Sequence, residues 1–550
     1  MEDNLDISVH FSSTTVSNNL IDPGPAPVIV RSASFPFNKA TADVVLRSSD
    51  SVDFRVRRGI LCEASQFFDD MFSLPQPEDS MGRSGSDAAA IPTITVAENA
   101  KTLDHLLRLC YPINDPVLDQ VDDVRHVLEA AIKYEMSEAI KLMGKALLDF
   151  TATDALRVWA IACHYRQEGI AKSAAQATLG QSIEAIYVKE LEEIKAGVYH
   201  RLLQYHGNPY KLAFDIDPSP VTNEGSENYS SQKGAHSSGP TGMHPASFFD
   251  GGSTPDTDVI LRSSDNFNFH AHRVILAMSS PVLKEMLPSL CPVPKANESD
   301  MANELHISNP LIVRLTEDST TLGHLLSVYY ALDDPTFHDL RSLRLFLDAA
   351  LNYNMTKATS VARQELLKFA EKDSFGVYLI AARHNMSQVA DAAAKCLLRN
   401  PIAEDYYSPE LEETSAGDLY RLRTHNHRCK EAARNLAQNI GWLPNSRFST
   451  WTWFTCSDCQ GVVGVRRGDA TCKVRTWWKE YMDKASRELY LRPCGPTVAD
   501  PTLSDSALIK AVILCNTSCR RNAIAHLRQF NELFAEKIDE VVAAVKFEVR

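Results

Sequence analysis

The sequence predicts an α+β chain in which one unit, a small sheet flanked by helices with a helical extension behind it, is used twice and is followed by a mainly α C-terminal domain. Three observations carry this. Asp43-Val44-Val45-Leu46-Arg47-Ser48-Ser49-Asp50 returns as Asp258-Val259-Ile260-Leu261-Arg262-Ser263-Ser264-Asp265, and the register then holds without a gap from Phe54/Phe269 to Met71/Met286. Within each copy apolar and polar residues first alternate and then change to helical spacing. From about Gly441 the composition shifts: five of the six Trp fall between Trp442 and Trp478, and six of the twelve Cys between Cys456 and Cys519. A repeat of this kind governs everything else, because both copies must bury the same face.

The elements follow in order. Residues 1–41 are rich in Ser, Asn and Pro without lasting periodicity and are expected to be disordered. In the first unit, expected over 42–150, Val44 to Leu46 and then Val52, Phe54 and Val56 give a half-buried hairpin around a polar turn. Ser65 caps a helix carrying Phe68, Met71 and Phe72. In the second unit, expected over 257–369, Ser280 is followed by Pro281 at the first helical position, with Leu283, Met286 and Leu287 on the same stripe. After a divergent loop, Ile94-Thr95-Val96 and Ile312-Val313-Arg314-Leu315 predict a further strand in each copy. Leu103, Leu106 and Leu107 share a helical face, and Asp115-Pro116 and Asp334-Pro335 stop the matching helices. Val124, Val127, Leu128, Ala131 and Ile132 make the next stripe, reproduced by Leu343, Phe346, Leu347, Ala350 and Leu351.

Repetition continues into helical extensions at 151–212 and 370–437. Glu190-Leu191-Glu192-Glu193 with Ala196-Gly197 and Arg201-Leu202 returns as Glu410-Leu411-Glu412-Glu413 with Ala416-Gly417 and Arg421-Leu422. Between the blocks, residues 213–256 are crowded with Ser, Gly, Pro, Asn and Thr and read as a flexible linker. A tether of that kind lets the two units pack on each other within one chain, or leaves them to pair between chains. The Trp/Cys-rich tail occupies 438–550.

The strand-turn-strand opening, then Phe269-His270-Ala271-His272-Arg273-Val274-Ile275-Leu276-Ala277, Ser279-Ser280-Pro281-Val282-Leu283 and Met286, resembles the first half of a BTB (POZ) domain. The first copy carries Arg57-Arg58 in place of His272-Arg273. The tandem arrangement with helical extensions is similar to that of fungal BTB-domain proteins. This resemblance implies a protein-interaction module, with BTB partners or a cullin among the proteins bound. A helix precedes the first strand in many dimeric members of the family, and neither copy has one. Cullin-adaptor members often carry a hydrophobic-x-acidic motif after the first helices; Leu74 with Glu78 has a different spacing.

A formal net charge of -14 argues against broad nucleic-acid binding. No stretch is apolar enough for a membrane span, the start lacks the pattern of a signal peptide, and the chain is expected to be intracellular, in cytoplasm or nucleus. The cysteines are then expected as thiols.

Cys456-Ser457-Asp458-Cys459 has the C-x-x-C spacing that can turn two thiolates onto one metal ion. The candidates to complete the site are Cys429 and His427, with His425 and Cys472 as further candidates, because the second extension ends in His425-Asn426-His427-Arg428-Cys429 and the first has no counterpart cysteine. The cofactor implied is a structural zinc; the other reading is buried thiols packed among tryptophans. Cys515 and Cys519 lie in an expected helix and are set aside. Glycine-rich phosphate loops, H-E-x-x-H and G-x-S-x-G are absent from the sequence. The function expected is a non-enzymatic interaction scaffold, in one form a ubiquitin-ligase substrate adaptor; the alternative is a transcriptional or chromatin regulator.

Overall fold

In the computed structural model of this chain, the first repeat opens with a two-residue strand, β1 (Arg31–Ser32), ahead of the expected hairpin β2 (Val44–Arg47) and β3 (Val52–Val56). The structure describes residues 30–74, 91–209, 214–217, 257–287, 311–330, 332, 335–401, 403, 406–459 and 461–548. These fall into two compact units, Met1–Asp154 and Ala155–Arg550. The expected linker, the divergent loops and the first 29 residues lie wholly or mostly outside the described residues.

In the first unit α1 (Arg58–Ala64), α2 (Gln66–Ser73), β4 (Thr93–Thr95), α3 (Ala100–Cys110), α4 (Val121–Lys133) and α5 (Ser137–Asp149) follow. The strands lie in the order β1-β3-β2-β4, with β1 parallel to β3, β2 antiparallel to β3 and β4 parallel to β2. Alternation becomes burial: Val52, Phe54 and Val56 face the core while Arg55 is exposed. Residues 30–41 depart from the expected disorder. β1 adds a strand to the sheet, and Phe37 is fully buried against Phe54 and Tyr111. One aromatic anchor and two paired residues are too few to leave a period in the sequence.

In the second unit α6 (Thr151–His164), α7 (Glu168–Ala177) and α8 (Ala196–Gly207) belong to the first extension. Then come β5 (Val259–Arg262), β6 (Asn268–Ala271), α9 (Arg273–Ser279), α10 (Pro281–Met286), β7 (Leu311–Arg314), α11 (Ser319–Ser327), α12 (Leu340–Asn352) and α13 (Thr356–Phe369), with strand order β6-β5-β7. The register is that of the first copy: Leu261 pairs with Phe269 as Leu46 pairs with Phe54. So are the fixing hydrogen bonds. Arg58 and Arg273 donate a backbone N–H to Asp43 and Asp258, each over 2.7 Å. Ser65 and Ser280 cap α2 and α10 and donate their hydroxyls to the carbonyls of Tyr134 and Tyr353. His272 has a structural place: its backbone N–H donates to the Tyr330 hydroxyl, as Arg57 donates to that of Tyr111. A different side chain therefore suffices in the first copy.

The second extension runs through α14 (Ser374–Arg383), α15 (Ser387–Arg399) and α16 (Ala416–Gln438). It meets the first extension reciprocally. Ala196 N–H donates to Thr414 O and Ala416 N–H to Ile194 O, both over 2.8 Å, around a Lys195/Ser415 bridge. Arg201 grips Glu412, and Arg421 grips Glu192 through both terminal nitrogens. Each carboxylate fills the space a Cβ would need at the opposing Gly197 or Gly417, which explains why both copies keep Ala-Gly there. Where residue i meets j and the equivalent of j meets that of i, the contact has the form of a two-fold interface.

The tail is built from α17 (Thr452–Thr455), the hairpin β8 (Val462–Arg467) and β9 (Ala470–Arg475), α18 (Thr476–Leu491), α19 (Gly495–Ala499), α20 (Pro501–Leu514) and α21 (Ser518–Ala543). The hairpin is an addition to the expected helical tail; its turn uses Gly468 at positive φ. α16 crosses the expected boundary at 437/438, with Ala433 and Ala437 already in the tail core. α21 closes that core with Leu527, Phe530, Phe534 and Ile538. Among the described residues no helix is long and apolar enough to cross a membrane.

Candidate metal centre

The tail core is aromatic. Trp451, Trp453, Trp477, Trp478 and Phe530 are all essentially buried, with Trp453 stacked on Trp478 at 5.5 Å and Phe530 edge-on to both. Against this core the chain makes two cysteine loops. α17 ends where Cys456 N–H donates to Thr452 O, and the turn Cys456-Ser457-Asp458-Cys459 follows. α20 ends at Leu514, leaving Cys515 in extended geometry, and α21 starts at Ser518 with Cys519 in its first turn. The loops are tied to each other by the Thr517 hydroxyl donating to Asp458, and Arg475 reaches from β9 to the Cys459 carbonyl over 3.1 Å.

The four sulfurs converge. Sγ of Cys456 lies 3.7 Å from that of Cys459 and 3.6 Å from that of Cys515, and Cys459 lies 3.3 Å from Cys519. All four lie within 4.8 Å of one another and all four residues are buried. These separations are far beyond a sulfur–sulfur bond of about 2.05 Å. Burial raises the Cys459 thiol strongly and the Cys519 thiol to about 11. At Cys515 burial is outweighed by hydrogen bonds from Thr517 and from the backbone N–H of Thr517 and Cys519, which pull the thiol below its ordinary value. Such a group could bind a metal ion.

The structure thus brings Cys456 and Cys459 together but not with the partners expected from spacing. Cys429 sits inside α16 with its sulfur 3.5 Å from His425 Nε2, its thiol pushed up to about 12 by burial. His425 packs on Phe547 at 4.6 Å. His427 is exposed at a cavity of about 190 Å³, also lined by Arg423, Tyr406 and Tyr490. Cys472 lies half-buried in β9. Cys515 and Cys519 take the expected places. Their Cys-x3-Cys spacing is visible in the sequence, but the expected single helix is broken between them: α20 ends at Leu514 and α21 starts at Ser518, which takes the Cys515 sulfur out of helical register.

A search of curated proteins returns no match. The sequence model of the BTB/POZ domain matches residues 35–151 and again 252–369, so the two copies of the repeat are BTB/POZ domains, carried in tandem by this chain.

Proposed function

We propose that the chain is a non-enzymatic protein-interaction scaffold in which one chain supplies both halves of a two-fold arrangement through its helical extensions. BTB/POZ domains are protein-interaction modules. The observation that carries the reading is the reciprocal clamp of Glu192 with Arg421 and Glu412 with Arg201, beside the paired 194–196 and 414–416 backbones. Its groups are mostly buried, so the face is filled by the chain's own second copy rather than offered to another chain. A structural zinc ion in the tail belongs to this reading, since a fixed tail sits at the end of α16, the helix that carries half of the clamp.

The test is native mass spectrometry of the intact chain over a rising concentration series. The mass of one chain throughout supports the intrachain scaffold, and a concentration-independent dimer overturns it. In the adaptor form of this scaffold the partner is a cullin of a ubiquitin ligase. Titration of the chain with a purified cullin N-terminal domain decides that form: micromolar or tighter binding supports it, and none removes it. The regulator alternative lacks repeated zinc fingers to read nucleic acid, and the net charge of -14 works against it.

A further inference from the structure

We infer that Cys456, Cys459, Cys515 and Cys519 hold one zinc ion as a tetrathiolate, and that this ion fastens the start of α21 to the loop after α17. The inference rests on the zinc named above and assigns its ligands and its mechanical role. Geometry carries it. Four thiolates each about 2.3 Å from a tetrahedral zinc stand about 3.8 Å apart, and the sulfur separations observed are 3.3, 3.6 and 3.7 Å. Four sulfurs with every pair inside 4.8 Å surround a centre of ion size.

The second observation is independent of spacing. The indole N–H of Trp477 is buried and finds no hydrogen-bond acceptor among the described residues. Trp477 belongs to the same buried cluster as the four cysteines. A buried donor without an acceptor costs about 1–3 kcal/mol; Trp451, Trp453 and Trp478 in this cluster share that state, and metal-bound thiolates, which carry negative charge and free lone pairs, would supply acceptors to a core rich in such donors. Metal thiolates are commonly oriented by such outer hydrogen bonds. The remaining surroundings fit a site of net negative charge: Cys519 lies in the first turn of a 26-residue helix, whose N-terminus favours anions, and Arg475 approaches the Cys459 carbonyl.

The choice of metal follows from chemistry. Soft sulfur donors and tetrahedral closure suit zinc, which has no geometric demand of its own and needs no redox partner. Binding releases thiol protons, one at each cysteine that is neutral beforehand, and forms four Zn–S bonds in place of the ion's bonds to water. The two ligand pairs are separated by about sixty residues, as Cys459 and Cys519 show. The ion therefore closes a long loop containing β8, β9, α18, α19 and α20, the case in which a cross-link restrains the unfolded chain most.

The experiment uses the full chain purified without chelator. Elemental analysis with native mass spectrometry on the same sample is expected to give one zinc per chain. X-ray absorption at the zinc edge is expected to show four sulfur neighbours at about 2.3 Å and no nitrogen, a readout that needs no variant. Cys515→Ser and Cys519→Ser are expected to lower zinc from one equivalent to near none, whereas Cys429→Ser and Cys472→Ser keep it. Sulfur–nitrogen ligation, iron in place of zinc, full retention in the Cys515→Ser/Cys519→Ser pair, or a folded chain with four titratable thiols and no metal would overturn the inference. The two readings fail separately: a metal-free single chain removes the zinc and leaves the scaffold, while a zinc-loaded dimer removes the intrachain scaffold and leaves the site.

Discussion

Among the described residues, three backbone positions outside glycine adopt positive φ in each repeat, and they correspond: Ser51 with Asn266, Glu135 with Asn354, Arg166 with Asn385. The second copy uses asparagine at all three, the residue that tolerates this region best after glycine, and the first copy uses none. Glu135→Asn is therefore expected to stabilise the first domain by about 0.5–1 kcal/mol, read as a higher denaturation midpoint with an unchanged denaturant slope. A buried histidine gives a second test. Burial lowers His425 below its ordinary 6.5, against raising contributions from the Lys546 backbone and Asp391. The unfolded chain then takes up this proton first as pH falls. The contribution of His425 to stability is complete above about pH 6.5 and is lost below it as the pH falls toward the lower folded value. His425→Gln is expected to flatten the fall in melting temperature between about pH 7 and 5; an unchanged slope would assign the fall to other groups. Neither feature was legible in the sequence, because φ and burial at one residue depend on what the neighbouring elements do.

At the scale of elements, α16 is the helix that joins everything in the second unit. Its first turns carry Gly417 and Arg421 to the clamp, its middle buries His425 and Cys429, and its last turns place Ala433 and Ala437 in the tail core. Removing the Glu192 charge breaks one side of the clamp while Arg421 keeps Asp418 as its other partner, so Glu192→Gln is expected to cost about 1–2 kcal/mol. A double-mutant cycle of Glu192→Gln with Arg421→Gln is expected to show a combined loss smaller than the sum of the single losses, and additive losses would deny the coupling. The helices and strands of the repeat were legible because each is amphipathic and each occurs twice. The hairpin β8–β9 was not: Val462 is exposed and Val465 buried, and within the Trp-rich stretch that alternation is short and interrupted by Gly464.

Over the whole molecule the two BTB domains and their extensions follow from local pattern, and the same hydrogen bonds recur at Asp43/Asp258 and Ser65/Ser280 because the same residues recur. Stripping the metal with a chelator is expected to lower the melting temperature of the full chain and to expose tryptophan fluorescence, since Trp451, Trp453, Trp477 and Trp478 line the core beside the cysteine loops. An unchanged melt after complete metal removal would mean that the aromatic core alone holds the tail. The sequence by itself determined the repeat, its strands, helices and caps, the Trp-rich tail and the first cysteine pair, since each of these is written in spacing over a few turns. Only the tertiary structure decided that Glu192 meets Arg421 and Glu412 meets Arg201, and that Cys515 and Cys519, rather than Cys429 and His427, complete the sulfur cluster. Such partners are chosen by where α16, α20 and α21 end and turn, and long-range packing sets that choice rather than any local period.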